Sequence, residues 1–356
     1  VSVPTPRTGP VLARRRFLQL TGYGVAGLTV SQFLAACGGS DSEGSSSGGS
    51  GSGTAMSVQL SWIKDAEFAP LFFADADGYF SDEDIQLDMV AGGPDIGAVE
   101  GLVAGGTTDL GIATDITTII AAAADGNPLV VLGALYQSNL NALMSAPDNP
   151  ITSVEQLVGK RMGGPQGVQV KYDAMFRLNG LEPDYTFVPV GYGPDALING
   201  DVDVMAGFIT DEVLAYEEVT GNAPTLLTFT DAGLPAYTLP IFTTTSFLEE
   251  NRDALKGLLR ALTKGFDDFA ADPDRAGELA AEYGADAGLQ VEEEQRKAAA
   301  YLPLASSATT EANGWMYIDA EFLGGDVYRG MEAAGLATVP VEDVLDMSLL
   351  DEINAE

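Results

Sequence analysis

The sequence predicts an α/β protein built as two αβ lobes with a ligand cleft between them. Strand-like apolar runs alternate with helical patterns from residue 57 onward, which indicates largely parallel sheets with helices on their faces. The alternation falls into two successive runs, and a strand-like segment, Tyr237–Thr244, then returns toward the first. The chain is long enough for two lobes, and 46% hydrophobic content in 356 residues is ordinary for a protein with a substantial core.

Composition removes several function classes. A net charge of −35 argues against a nucleic-acid partner and against adhesion to anionic headgroups. The sequence has no histidine, so a Ser-His-Asp triad and a Cys-His dyad are impossible, and the commonest zinc ligand is missing. One cysteine allows no intrachain disulfide. No metal and no cofactor is expected.

Residues 1–37 read as an export signal. ARRRFLQ (13–19) resembles a twin-arginine signal, Phe17–Ala36 suits an export h-region, and Leu34-Ala35-Ala36-Cys37-Gly38 resembles a lipobox with Cys37 as the lipidated residue. Residues 38–56 are rich in Gly and Ser and form a tether, averaging on the order of 20 Å. The expected location is the outer face of the cytoplasmic membrane, held there by a lipid anchor.

The first lobe is expected over 57–146, the second over 147–235, and a return to the first over 236–356. Val58–Ile63 is a strand, Lys64–Glu67 a polar turn, and Phe68–Ala76 a helix ending at Asp77-Gly78. Trp62, at the strand end, belongs either to the core or to a site. Ile85–Val90 alternates as a strand, Ile96–Ala104 has helical spacing, and Leu110–Ala113 is a short strand. Thr114 or Asp115 caps the helix Ile116–Ala124. Leu129–Leu135 is a buried strand running to Tyr136, and Asn139–Ala146 leaves this sheet. Thr152 and Glu155 suggest a capping box. Lys160–Gly163 enters a Gly-rich loop, Gly163–Gly167, before the helix Val168–Leu178. Thr186–Val190, Val202–Ile209 and Leu226–Phe229 are strands. Pro194–Asn199 and Thr210–Val219 are helices, the latter capped by Thr210 or Asp211. A second capping box, Ser246 to Glu249, opens a helix over 247–271. Further helices follow at Asp274–Tyr283, Val291–Tyr301 and Gly324–Ala334.

Four phrases resemble, in order, the SsuA/ThiY-like substrate-binding proteins of ABC importers. They are SWIKDAEFAPLFFADADGYF (61–80), AGGPDIGAVEGLVAGGTTDLGIATD (91–115), DNPITSVEQLVGKRMGG (148–164) and LINGDVDVMAGFITDE (197–212). The resemblance spans about residues 57–245. It implies a type II periplasmic-binding-protein-like fold with two crossovers, a small-molecule ligand, and permease and ATPase subunits as partners of a monomer. Trp62 with Glu67–Ala69, and Thr210-Asp211-Glu212, look like the branch that binds thiamine pyrimidine precursors. Riboflavin, or an alkanesulfonate, taurine or nitrate, is the alternative. Asp211 stands where that branch has Asn, and Glu67 where a histidine is often found.

The candidate ligand-binding residues follow from the loops and the resemblance together. Trp62, Tyr136, Tyr192, Phe208 and Tyr237 supply faces for a flat ligand. Glu67, Asp115, Asp211 and Glu212 supply acceptors for its N–H groups. Phe68, Thr114 and Gln166 complete the set. Residues 163–167 could also bind an anion through backbone N–H groups, but they lack a P-loop ending. With Trp62 at the first strand end and Glu67 five residues on, the cleft is the expected place for Trp62, opposite Phe208–Glu212.

Two other functions compete with this one. The same fold family includes a eukaryotic pyrimidine synthase that consumes its own histidine and a pyridoxal cofactor. This chain has no histidine for that reaction, and the expectation is that it is not an enzyme. A sensor or adhesion module would need a signalling domain or a second membrane segment, and none is read in these residues.

Overall fold

The computed structural model describes residues 53–356; the expected export signal with Cys37, and the expected tether up to residue 52, lie outside the described residues. Ten strands form two five-stranded sheets. In chain order they are β1 (Thr54–Leu60), β2 (Ile85–Val90), β3 (Leu110–Ile112), β4 (Leu129–Tyr136), β5 (Asn141–Ser145), β6 (Lys160–Gly164), β7 (Tyr185–Pro189), β8 (Val204–Phe208), β9 (Thr225–Thr228) and β10 (Thr238–Thr244). The first sheet has the order β2-β1-β3-β10-β4 and the second β7-β6-β8-β5-β9.

Both sheets are mixed. β1 runs parallel to β2 and β3, whereas β10 is antiparallel to β3 and β4. β6 runs parallel to β7 and β8, whereas β5 is antiparallel to β8 and β9. The reversed strands, β5 and β10, are the ones that follow a passage of chain from one sheet to the other. The two passages are bonded to each other: Asn139 Nδ2 donates to the Leu234 carbonyl and Thr238 Oγ1 to the Ser138 carbonyl, both at 2.8 Å. These are the two crossovers that the sequence implies.

Seven helices bear on the site: α1 (Ala69–Ala76), α2 (Ile116–Ala124), α3 (Gln169–Leu178), α4 (Glu212–Thr220), α5 (Arg252–Ala271), α6 (Pro273–Tyr283) and α7 (Val291–Tyr301). α1 begins with Pro70 near its start, where no amide partner is needed, and buries Leu71, Phe72 and Phe73. Beside it α5 presents Leu255, Leu258, Leu262, Phe266 and Phe269 along one stripe. Each such side chain contributes about 1.5–3 kcal/mol on burial, so the return of the chain to the first sheet is driven by this seam.

Several local expectations change. The N-cap of the short turn Val154–Leu157 is Ser153, one residue later than expected, so the Thr152 amide bonds to Gln156 Oε1 at 2.7 Å and Glu155 forms no capping box. β10 runs directly into a helix, Thr245–Glu250, so Thr244 is its cap in place of Ser246, accepting from the Phe247 amide at 3.2 Å. The helix expected over 247–271 is interrupted at Asn251, where the backbone leaves helical geometry and α5 starts anew.

Gly92 fixes where the segment after β1 can run. Its amide donates to the Trp62 carbonyl at 2.7 Å, and a methyl group on Gly92 would run into the backbone of Leu60 and Ser61. Gly92→Ala should therefore lower stability by about 1–3 kcal/mol, as overpacking does elsewhere. Chemical denaturation measures this; an unchanged midpoint would mean that the 91–94 loop yields freely.

Candidate functional site

A cavity of about 300 Å³ lies where the loops after β1, β3, β6, β7 and β8 meet. Ligand sites in open α/β sheets form at the carboxyl ends of strands, and this one takes a wall from each sheet. The first sheet contributes Ser61, Trp62, Asp65, Glu67 and Thr114. The second contributes Pro165 and Val168, Gly191 and Tyr192, and the run Ala206–Phe208 with Asp211 and Glu212. Asn141, at the start of β5 in the second sheet, also lines it.

Trp62 and Tyr192 meet across the cleft with ring centroids 4.9 Å apart and planes inclined by 58°. Trp62 also packs on the first-sheet core, while Tyr192 is 63% exposed. The pair thus offers a flat ligand one ring anchored on the core and one exposed ring.

The other half of the wall is acidic. Asp65 caps a turn of 3-10 helix, Ala66–Phe68, its Oδ1 accepting from the Glu67 amide at 3.1 Å. Glu67 is 4% exposed. The Tyr301 hydroxyl stands 3.4 Å from Glu67 Oε2 and 2.7 Å from Asp211 Oδ2, and its single proton goes to the nearer acceptor. Glu67 Oε1 has no partner. Glu212 Oε2 accepts from the Phe208 amide at 2.7 Å. Gly207 makes room for this turn-back, because a Cβ there would sit 2.6 Å from Glu212 Cβ.

α7 places three residues behind these acids. Glu294, Lys297 and Tyr301 share one helix face at i, i+3 and i+7. Glu294 Oε2 accepts from the Ala66 amide at 2.8 Å. Lys297 Nζ lies 3.2 Å from Asp211, 3.2 Å from Glu294 and 4.0 Å from Asp65. Burial, then the charge of Asp211, pushes the Asp65 carboxyl well above the usual range. Burial, then Asp65 and Asp211, does the same to Glu67. Burial also raises Glu294 and Glu212. For Lys297 burial works downward, but Asp211, Asp65 and Glu294 outweigh it and hold the ammonium charged. Among the described residues no group of three or more His, Cys, Asp or Glu could hold a metal ion.

Of the residues expected at the ligand, Trp62, Glu67, Thr114, Tyr192, Phe208, Asp211 and Glu212 line this cavity. Five do not. Phe68 is fully buried in the first-sheet core, because the 3-10 turn that points Glu67 at the cleft points its neighbour inward. Tyr136 is also fully buried, its ring against Tyr301 and its hydroxyl donating to the Glu67 carbonyl at 2.8 Å. Tyr237 packs in a separate cluster, with its hydroxyl accepting from the Asp319 amide at 3.0 Å. Gln166 is exposed on its loop, outside the lining. Asp115 caps α2 through the Thr117 amide and forms an ion pair at 2.7 Å with Lys171 on α3. Burial opposes ionisation of Asp115, but Lys171 outweighs it and its pKa falls. Neither Thr210 nor Asp211 caps α4 with its side chain; the Asp211 carboxylate turns instead to Tyr301 and Lys297.

The sequence reading missed Asp65, Glu294, Lys297 and Tyr301. The last three carried a signal, their common face on a helix that the spacing does predict. Nothing in the sequence says that this face meets the loop after β1.

Two mixed sheets, two crossovers and a cavity at the strand ends define the periplasmic-binding-protein fold. The aliphatic sulphonate binding protein SsuA from Escherichia coli shares it, with a TM-score of 0.59 at 17% identity, covering 81% of this chain and 91% of that one. The chain belongs to the NMT1/THI5-like family, which residues 65–276 match. A 4-amino-5-hydroxymethyl-2-methylpyrimidine phosphate synthase from Legionella pneumophila is 29% identical over 232 residues, 63% of this chain and 72% of the relative. The riboflavin-binding protein RibY from Chloroflexus aurantiacus is 24% identical over 304 residues, 81% and 83% of the two chains. A formylaminopyrimidine-binding protein from Halalkalibacterium halodurans is 27% identical over 230 residues, 62% and 68%. The resemblance to SsuA/ThiY-like proteins read from the sequence is borne out at the level of family and fold.

Replacing Lys297 by Met should cost about 3–5 kcal/mol at neutral pH, because it strands buried carboxylates. Asp65, Glu67 and Glu294 have raised pKa values, so they take up protons as the pH falls toward the usual carboxylate range. The deficit should therefore be largest near pH ~8 and shrink toward pH ~5. Denaturant melts of both proteins across this range check it; a deficit independent of pH would show that Lys297 acts through packing alone.

Proposed function

We propose that the protein is the extracytoplasmic solute-binding lipoprotein of an ABC importer and that its ligand is a thiamine pyrimidine precursor of the hydroxymethylpyrimidine type. The observation that carries the reading is the cavity wall, aromatic on Trp62, Tyr192 and Phe208 and acidic on Asp65, Glu67, Asp211 and Glu212. An aminopyrimidine has two stacking faces and an edge of N–H donors, which suits such a wall. The volume of about 300 Å³ lies at the small end of ligand sites and suits one ring with short substituents better than a flavin. A sulfonate or nitrate would need cationic or backbone donors, and no Lys or Arg is among the described lining residues.

In this reading lipidated Cys37 and the tether 38–56 keep the folded body near the membrane. The lobes 57–146 with 236–356, and 147–235, close on the ligand. The monomer then delivers it to permease and ATPase subunits. The Legionella relative bears the name of a synthase. The histidine-consuming reaction that the family resemblance brings with it has no histidine to use in this sequence, which supports binding over catalysis.

Thermal-shift titration with hydroxymethylpyrimidine, formylaminopyrimidine, riboflavin, taurine and nitrate tests the proposal. A saturable shift with a pyrimidine is expected. A shift with sulfonate or nitrate alone would sink the heteroaromatic reading, and turnover of any ligand would sink the binding-protein reading. Trp62→Ala should weaken pyrimidine binding by about 1–3 kcal/mol, the usual worth of stacking on an aromatic ring. Lost fold stability with unchanged affinity would return Trp62 to the core.

A further inference from the structure

We propose that the cavity selects a flat ligand carrying a positive charge on a hydrogen-bond-donating edge, an amidinium-type group, with the Glu67 carboxyl as its main acceptor. This rests on the binding-protein reading above and specifies the charge of the ligand. Four carboxyl side chains, Asp65, Glu67, Asp211 and Glu212, share one cavity of about 300 Å³. The ammonium behind them, Lys297, is already held by Asp211 and Glu294 at 3.2 Å each. Independently of that excess, Glu67 lines the cavity at 4% exposure, its Oε1 has no partner, and its Oε2 has only the Tyr301 hydroxyl at 3.4 Å, which is bonded to Asp211. A buried acceptor left empty costs free energy until a donor arrives, and a charged donor is the stronger one. The Trp62 and Tyr192 rings beside it favour a cation over their faces.

The groups facing Glu67 fix the pH response. They are Asp65 on its own loop, Asp211 on the loop after β8, Lys297 and Tyr301 on α7, and Tyr136 on β4. Burial and the two aspartates favour protonated Glu67 while the cavity is empty; Lys297 and Tyr301 oppose them without prevailing. A bound cation reverses the balance, so Glu67 ionises and releases its proton to solvent. Affinity for a cation therefore rises as pH climbs through the elevated range of Glu67. A neutral ligand that takes a proton from Glu67 would show the opposite slope.

The test is isothermal titration calorimetry on the purified full chain with benzamidine, a flat cation, and benzamide, its neutral counterpart. Hydroxymethylpyrimidine is titrated in parallel. At pH ~8 benzamidine should bind at least about tenfold more tightly than benzamide, the worth of one charge-assisted hydrogen bond. Its affinity should be higher at pH ~8 than at pH ~5, with buffer-dependent heat marking proton release. Glu67→Gln should remove most of this preference, and a thermal melt reports whether that variant folds; the wild-type comparison stands without it. Equal or tighter binding of benzamide, or benzamidine affinity that falls as pH rises, overturns the proposal. So does binding of hydroxymethylpyrimidine with neither probe bound, which leaves the pyrimidine reading intact. Benzamidine preferred with no pyrimidine bound supports the cation and removes the pyrimidine. No binding by any of the three removes both.

Discussion

A single ammonium, Lys297, lets the interior hold more carboxyl groups than it could otherwise tolerate. It contacts Asp65 from the loop after β1, Asp211 from the loop after β8, and Glu294 on its own helix. Those segments belong to the first sheet, the second sheet and the C-terminal helices. Ion pairs of this depth add little net stability, because desolvation consumes most of the attraction. Their effect is positional: they hold the loops after β1 and β8 against α7. The same contacts tie the two sheets together on one side of the cleft, where Arg296 on α7 also meets Glu218 on α4 at 2.6 Å. On the α2–α3 side Asp115 and Lys171 form the corresponding tie.

The elements of the fold were legible because hydrophobic periodicity and turn residues mark them locally. β4 is buried along its whole length and reads as an unbroken apolar run. α2 begins at a capping aspartate, and α7 has the bounds that its spacing predicts. Cap details were less legible. At Ser246 an earlier helix start gave the capping role to Thr244, and at Thr152 the start fell one residue later, at Ser153, whose side chain makes no cap bond. At Asp211 a tertiary ion pair took the side chain away from the helix altogether.

The site was half legible for a related reason. Residues on loops at strand ends could be placed in the cleft, but a strand-end aromatic faces the cavity or the core according to one turn of backbone. Phe68 and Tyr136 fell on the inner side of that division, and Trp62 on the outer. The charges from α7 were invisible because contacts between distant segments leave no local pattern. A sequence this acidic also hides its few meaningful acids among many solvated ones. The relatives underline how little similarity of this order decides about function, since it links this chain to proteins named as a synthase and as two binding proteins.

The sequence has only two tryptophans, and they occupy opposite circumstances. Trp315 lies stacked on Phe266, with planes inclined by 14° and its indole N–H bonded to Asp267 at 2.8 Å, outside the cavity lining. Trp62 touches a ring from the other sheet, and any separation of the sheets must pull that contact apart. A change in the gap between the sheets would therefore disturb the surroundings of one indole and leave the Trp315–Phe266 stack as it is, which makes the pair a built-in optical comparison.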